Sequence, residues 1–249
     1  MSATGEREES FLDHLTELRS RLLRAVLAVV LGFVVLLPFA QGLYARFAAP
    51  LLEKLPAGGQ IIAIDVASPF FAPVKLAFAL GLMLAMPVVL YQLWAFVAPG
   101  LYQHERRLAV PLLVSAMALF YAGCAFAWYL VLPLVFGFLT AVTPEGVQMM
   151  TDISRYLDFV LVVFLAFGFS FELPVAVVIL VALGWVDIAQ LRAARPYVIV
   201  GVFLVAAFIT PPDIVSQVML AVPMALLYEV GILASRLVLR NRAAEDAPQ

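Results

Sequence analysis

Residues 159–183 read FVLVVFLAFGFSFELPVAVVILVAL, and Glu172 is the one charge in the stretch. At about 1.5 Å per residue, a helix of this length crosses the ~30 Å hydrocarbon core of a bilayer. The rest of the chain has the same character. Of its 249 residues, 65% are hydrophobic, against roughly 45–50% in an ordinary globular domain. Only 13% are charged, and mean hydropathy is +1.05. A water-soluble fold of this size cannot hide so much apolar surface, so the class is integral membrane protein.

Five more apolar runs accompany 159–183, and together they define approximate spans 22–45, 76–97, 108–130, 159–183, 196–209 and 214–233, with a tail at 234–249. The expected fold is all-α, a single membrane domain over residues 1–249 with six transmembrane helices. The third run is longer than one crossing needs, and Pro133 is expected to end or kink it. The fifth run is short of the usual 17–25 residues, so the last two helices form a short hairpin about Thr210-Pro211-Pro212-Asp213. Trp94, Trp128 and Trp185 fall near span ends, as an aromatic belt does.

Lys and Arg set the orientation. The N-terminal segment, the 98–107 and 184–195 loops and the tail carry eleven, and the alternate loops carry four. Both termini are therefore expected in the cytoplasm. The longer outer loops are roughly 46–75 and 134–158. The start, MSATGEREES, is polar and acidic, unlike a secretory signal or an Arg-rich transit peptide.

Several function classes fall away. A net charge of -2 without a basic block speaks against nucleic-acid binding. The single cysteine, Cys124, and two histidines, His14 and His104, both outside the apolar runs, give no metal site and no disulfide within the chain. No Walker loop is present. Ser115 and Ser170 lie in apolar runs with no histidine or lysine at that depth to activate them, so no catalytic residue is assigned and no cofactor is implied.

Three groups of residues remain. Phe11, Leu12, Leu15, Leu18 and Leu22 make one helical stripe, and Ser10 with Asp13 resembles a capping signal. This predicts an amphipathic interfacial helix at the N-terminus that runs into the first span. Glu17 and Arg21 stand one helical turn apart on its polar side, the spacing of an ordinary surface ion pair. Glu105 is the only acid in the first inner loop, beside Arg106 and Arg107. Glu17 and Glu105 together would form a two-carboxylate site for a cation, for which a guanidinium fork is suited. Glu172 costs roughly 2.5–3.5 kcal/mol to insert at mid-span, so it needs a polar partner, water or a proton. Thr210 and Gln217 are candidate partners within the bundle, and Pro174 loosens the helix beside it. Glu229 is expected to snorkel or to pair with Arg236, and Asp213 to cap the sixth helix. Phe70, Phe71 and Phe96 read as packing or interface residues.

A set of segments, in order along nearly the whole chain, resembles the TatC family, the multi-spanning component of the twin-arginine protein translocase. They are Phe11-x-x-His14-Leu15-x-Glu17-Leu18-Arg19-x-Arg21-Leu22, Asp65-Val66-Ala67-Ser68-Pro69-Phe70, and Tyr91-Gln92-x-Trp94-x-Phe96-x-x-Pro99-x-Leu101-Tyr102-x-x-Glu105-Arg106-Arg107. Phe169-x-Phe171-Glu172-x-Pro174, Arg195-Pro196-Tyr197 and Thr210-Pro211-Pro212-Asp213 complete it. The resemblance implies a signal-peptide receptor and translocase core in the bacterial inner membrane. Such a core exports folded proteins at the expense of the proton-motive force. It implies single-span partners of the TatA and TatB type, precursors with twin-arginine signal peptides, and several copies in one complex. It also implies roles for residues. Glu17 and Glu105 would bind the arginine pair, with Arg19 and Phe96 shaping the site. Glu172, Thr210 and Gln217 would offer polar contacts to partner helices, and Pro50 and Asp213 would serve function or assembly on the outer side. The competing reading, a proton-coupled small-solute transporter relaying through Glu172, lacks an inverted repeat and a second mid-span charge.

Overall fold

The structure, a computed structural model, describes residues 3–52, 60–97, 106–144, 150–210 and 213–245. Helix α1 (Ala3–Leu36) continues through a 3₁₀ turn at Leu37–Phe39 into α2 (Ala40–Leu52). Then follow β1 (Gln60–Ile62), α3 (Ser68–Val97), α4 (Arg106–Phe126) and α5 (Leu132–Ala141). After β2 (Met150–Asp152) come α6 (Ile153–Ser170), α7 (Leu173–Ala182), α8 (Ile188–Ile209) and α9 (Ile214–Glu245). Six helical stretches are long and apolar enough to cross a membrane: Thr16–Ala48, Ser68–Phe96, Val110–Ala141, Ile153–Ala182, Ile188–Ile209 and Ile214–Arg240.

The helices outrun the apolar runs because polar residues at their ends find partners. The second span begins at Ser68 rather than near 76, since Lys75 is matched by Asp158 at 3.0 Å. The fourth begins at Ile153 because Asp152 caps it, accepting from the N–H groups of Ser154 and Arg155 at 3.0 Å. The fifth has only 14 strongly apolar residues, yet its helix runs 22. Asp187 and Gln190 close a reciprocal capping box at its start, satisfying two of the N-terminal donors.

Several sequence expectations are corrected. Ser10 does not start the N-terminal helix, because α1 is already helical from Ala3 and runs unbroken into the first span. Pro133 does not end the third helix. A π-turn at Ala127–Val131, where the Leu132 N–H reaches the Ala127 carbonyl, absorbs the register change next to the proline's missing donor. The helix then continues to Ala141. Trp128 therefore sits inside a helix, packed on Phe47 and Phe164 at ring distances of 4.8 and 5.8 Å. Trp94 is buried in the core rather than facing lipid. The two longer loops hold short strands, β1 and β2, paired in parallel with Ile61 opposite Thr151.

Two contacts fix the framework. Gly32 on α1 and Gly81 on α3 meet backbone to backbone: a Cβ on Gly32 would lie 2.7 Å from the Gly81 carbonyl, and one on Gly81 would lie 2.5 Å from the Phe33 nitrogen. Small residues permit such approach inside a bilayer, where packing rather than the hydrophobic effect drives association. Behind this pair, Phe120, Phe167, Val160, Val163, Leu220 and Met224 form the centre of the core. Large apolar side chains on α1 and α8, among them Leu27, Leu31, Leu204 and Phe208, are exposed on the surface of the bundle, as lipid-facing positions are.

Candidate functional site

Glu17 lies on α1 just inside the start of the first span. Arg21, one turn on, donates from Nε at 2.9 Å and from Nη2 at 2.5 Å, both to Glu17 Oε1. The pairing expected from spacing is present. Both donors converge on one oxygen, which leaves Glu17 Oε2 without a hydrogen-bond partner among the described residues. The Glu17 side chain is 39% exposed, and that of Arg21 is 21%. Arg19 is exposed on the same helix. Among the described residues the carboxylate thus holds one guanidinium and leaves its second oxygen unbonded.

Phe96 is half-buried in the last turn of α3. Its height relative to Glu17 follows from the α1–α3 contact. Gly32 meets Gly81, Phe33 meets Phe78 edge-on at 5.7 Å, and the stretch 37–41 shares a cavity with 69–74. The helices therefore run antiparallel with this pairing as their register. Counting from Gly32 back to Glu17, and from Gly81 forward to Phe96, moves the same number of residues in the same direction, about 22 Å along each axis. Glu17 and Phe96 stand at one depth at one mouth of the bundle. Glu105 lies outside the described residues, immediately before Arg106, the first residue of α4. Pro50 falls within α2, and its side chain is likewise outside the described set.

Glu172 occupies the break between α6 and α7. The Glu172 N–H turns back to the Phe169 carbonyl at 3.0 Å, and the helix resumes with Ala176 N–H on the Glu172 carbonyl at 2.9 Å. Pro174 has no N–H to give the preceding turn, which is why the helix opens here. The residue is half-buried, and its Oε1 is buried without a hydrogen-bond partner among the described residues. A buried oxygen without a donor is costly in a low-dielectric setting.

Thr210 and Gln217 do not supply that donor. Thr210 Oγ1 donates to the Ala206 carbonyl at 2.9 Å, and Gln217 Nε2 to the Phe203 carbonyl at 3.0 Å. Pro174 packs on Gly231 of α9, and Gln217 lies about four turns earlier on that helix, roughly 20 Å away. The expected three-residue site is thus two sites. One is Glu172 at the helix break. The other is the turn between α8 and α9, where Asp213 caps α9 through the Ser216 N–H at 2.6 Å. There Asp213 Oδ2 and Ser216 Oγ are buried without hydrogen-bond partners among the described residues.

The partner expected for Glu229 is also corrected. Its carboxylate takes Arg195 Nη2 at 2.6 Å, across the α8–α9 hairpin, and not Arg236. Asp152 went unassigned in the sequence. Besides capping α6 it accepts from the Ile64 N–H at 3.1 Å, so one carboxylate fastens both interhelical segments. An Asp just before a long apolar run is the signal that marks it. Its hydrogen bonds, first from the Arg155 and then from the Ile64 backbone, hold its pKa below the usual carboxylate range. No cluster of metal-ligating side chains is found among the described residues.

Comparison with known proteins places this geometry. The family model described as Sec-independent protein translocase protein (TatC) matches residues 13–223. The Sec-independent protein translocase protein TatC of Azotobacter chroococcum mcd 1 is 57% identical over 98% of this chain and 96% of its own. That of Escherichia coli (strain K12) is 54% identical over 93% of this chain and 90% of its own. A crystal structure of the twin arginine translocase receptor TatC superposes with a TM-score of 0.81 at 36% identity, covering 90% of this chain and 98% of that one. A second, in DDM, gives 0.83 at 35% identity over 89% and 99%.

Proposed function

This chain belongs to the TatC family of Sec-independent protein translocase proteins, and on that premise we propose that it is the signal-peptide receptor and core subunit of a twin-arginine translocase. It is a multi-pass membrane protein. In this reading it sits in the bacterial inner membrane with both termini in the cytoplasm. Several copies assemble with TatA- and TatB-type single-span proteins, and folded precursors cross at the expense of the proton-motive force. Its work is recognition and assembly rather than bond-making.

The observation that carries the reading is the shared depth of Glu17 and Phe96 at one mouth, with one Glu17 oxygen open. Glu105 follows Phe96 by nine residues of chain, and in this reading it acts with Glu17. A pair of carboxylates there selects arginine over lysine, because a guanidinium is planar, weakly hydrated and carries five donors in fixed directions, whereas an ammonium is a compact, strongly hydrated point charge. Arg19 keeps the mouth from excess negative charge, and Phe96 gives the apolar stems of the signal peptide a surface.

Partner helices meet two polar points. The buried, partnerless Oε1 of Glu172 suits a side-chain donor on a neighbouring transmembrane helix. The α8–α9 turn, with Thr210, Asp213 and Gln217, suits a second contact, beside the exposed apolar surface of Phe208 and Ile214. Interhelical hydrogen bonds in lipid contribute about 0.6–2 kcal/mol, which favours reversible assembly. Pro50 and the Asp213 cap hold the opposite face in shape. The solute-transporter reading of Glu172 finds no support in the relatives.

The test is photocrosslinking of a twin-arginine precursor to the chain in inverted membrane vesicles. Glu17→Ala and Glu105→Ala should each abolish the crosslink while membrane insertion is retained. Unchanged crosslinking in both variants would overturn the assignment.

A further inference from the structure

Two neighbouring cavities lie where α3 and α6 begin, at the end of the bundle opposite the Glu17 mouth. One, of about 440 Å³, is lined by Asp65, Ser68, Phe71, Lys75, Asp152 and Arg155. The other, of about 380 Å³, presents only apolar atoms, from Phe33, Phe78, Leu82, Leu161 and Leu165 and from the stem of Lys75. They share Phe71 and Lys75. The apolar cleft extends along α3 from Phe71 to Leu82, about 16 Å by helix rise. That is close to half of the ~30 Å hydrocarbon core, the depth of one leaflet.

The polar cavity carries both signs of charge, and only some of its groups are engaged. Lys75 is held by Asp158, and both oxygens of Asp152 accept backbone N–H groups. The side chains of Arg155 and Asp65 are exposed and make no hydrogen bond or ion pair among the described residues. Among the described residues, one cation and one anion lining this cavity are thus left without a partner. A transmembrane helix, about 10 Å across, needs roughly three times the cleft's volume over the same length, whereas one acyl chain does not. Two carboxylates, Asp65 and Asp152, and two cations, Lys75 and Arg155, line the polar cavity, a balance that suits a zwitterionic headgroup better than a net anion.

We propose that the joined cavities hold one phospholipid with a zwitterionic primary-ammonium headgroup. Its phosphate lies on Arg155 beside Lys75, its ammonium on Asp65, and one acyl chain fills the cleft down to Leu82. This site is separate from the signal-peptide mouth and does not depend on the role proposed for it.

Native mass spectrometry of the purified full chain tests this, with phosphatidylethanolamine, phosphatidylcholine and phosphatidylglycerol added in equal amounts. The ethanolamine lipid should be retained at least threefold over either of the others. Choline has no N–H to give Asp65, and glycerol leaves the carboxylates facing a net anion. R155Q, which removes the phosphate partner, and L82W, which fills the cleft, should each lower retention at least threefold. D65N should erase the advantage over phosphatidylglycerol. Equal retention of the three lipids by the unaltered chain overturns the proposal, as does unchanged retention in both R155Q and L82W. The three-lipid comparison needs no variant, so a substitution that misfolds does not remove the test.

Discussion

Asp152 shows how much one side chain does in this fold. It caps α6 with one oxygen and holds the Ile64 backbone with the other. Its folded pKa is lowered, first by the Arg155 backbone bond. A carboxylate whose folded pKa is depressed adds stability that is present above its unfolded pKa, near 3.9, and is lost as pH falls through the folded value. Thermal unfolding in detergent between pH 7 and pH 3 should therefore show a drop in Tm below about pH 4. Asp152→Asn should start lower at pH 7 and lose less over that range. A wild-type Tm that is flat down to pH 3 would contradict the role. At this scale the sequence was legible only where partners lie on one helix. Glu17–Arg21 follows from a one-turn spacing, and Asp213 follows from its place before Ile214. Glu229 was misassigned because its partner, Arg195, lies on another helix, and no periodicity carries that. Glu172 was visible as a lone acid, but its lack of a bonded donor emerges only once Thr210 and Gln217 are seen to spend theirs on backbone carbonyls.

The α1–α3 pair is the element on which the mouth depends. A Cβ at Gly81 meets backbone, not a flexible side-chain tip, so the helices must separate to admit it. Gly81→Leu should destabilise the protein by about 1–3 kcal/mol, the usual range for overpacking. It should also lower precursor binding by shifting Glu17 relative to Phe96. Gly42→Leu on α2, where nothing lies within 4 Å, is the control and should leave both unchanged. Equal effects at the two positions would remove the argument for register. Helix existence was readable from hydropathy at all six spans. Helix ends were not, since they were set by Lys75–Asp158, by the Asp152 cap and by the Asp187–Gln190 box. The break at Glu172 was signalled by Pro174, whereas Pro133 left no break because a π-turn accommodates it. The three-residue strands β1 and β2 are too short to leave a period in the sequence.

Across the whole molecule, the proposal that both termini lie in the cytoplasm rests on the excess of Lys and Arg on alternate loops. Single cysteines can report this, because the native Cys124 is buried. Val66, between β1 and α3, is 98% exposed, and Trp185, after α7, is 73% exposed. A membrane-impermeant maleimide on spheroplasts should label Val66→Cys and not Trp185→Cys, with the reverse in inverted vesicles. The opposite pattern would turn the molecule over and place the Glu17 mouth on the wrong side for newly made precursors. The same topology determines what the sequence alone could offer about the site. The motifs carrying Glu17, Phe96 and Glu105 lie far apart in the chain. Only the antiparallel crossing at Gly32 and Gly81 brings the first two to one level.

In the function proposed here, carboxylates at this mouth recognise paired guanidinium groups. The direct measurement is the affinity of a signal peptide for the chain in nanodiscs, comparing paired arginines with paired lysines, against the unaltered protein and Glu17→Gln, Glu105→Gln and the double variant. Hydrogen bonds to charged groups contribute about 1.5–3 kcal/mol each. Each single variant should therefore weaken the arginine peptide about tenfold or more, and the double variant should bind both peptides equally weakly. Lysine peptides that bind the unaltered chain as tightly as arginine peptides, with affinity untouched in the double variant, would contradict it.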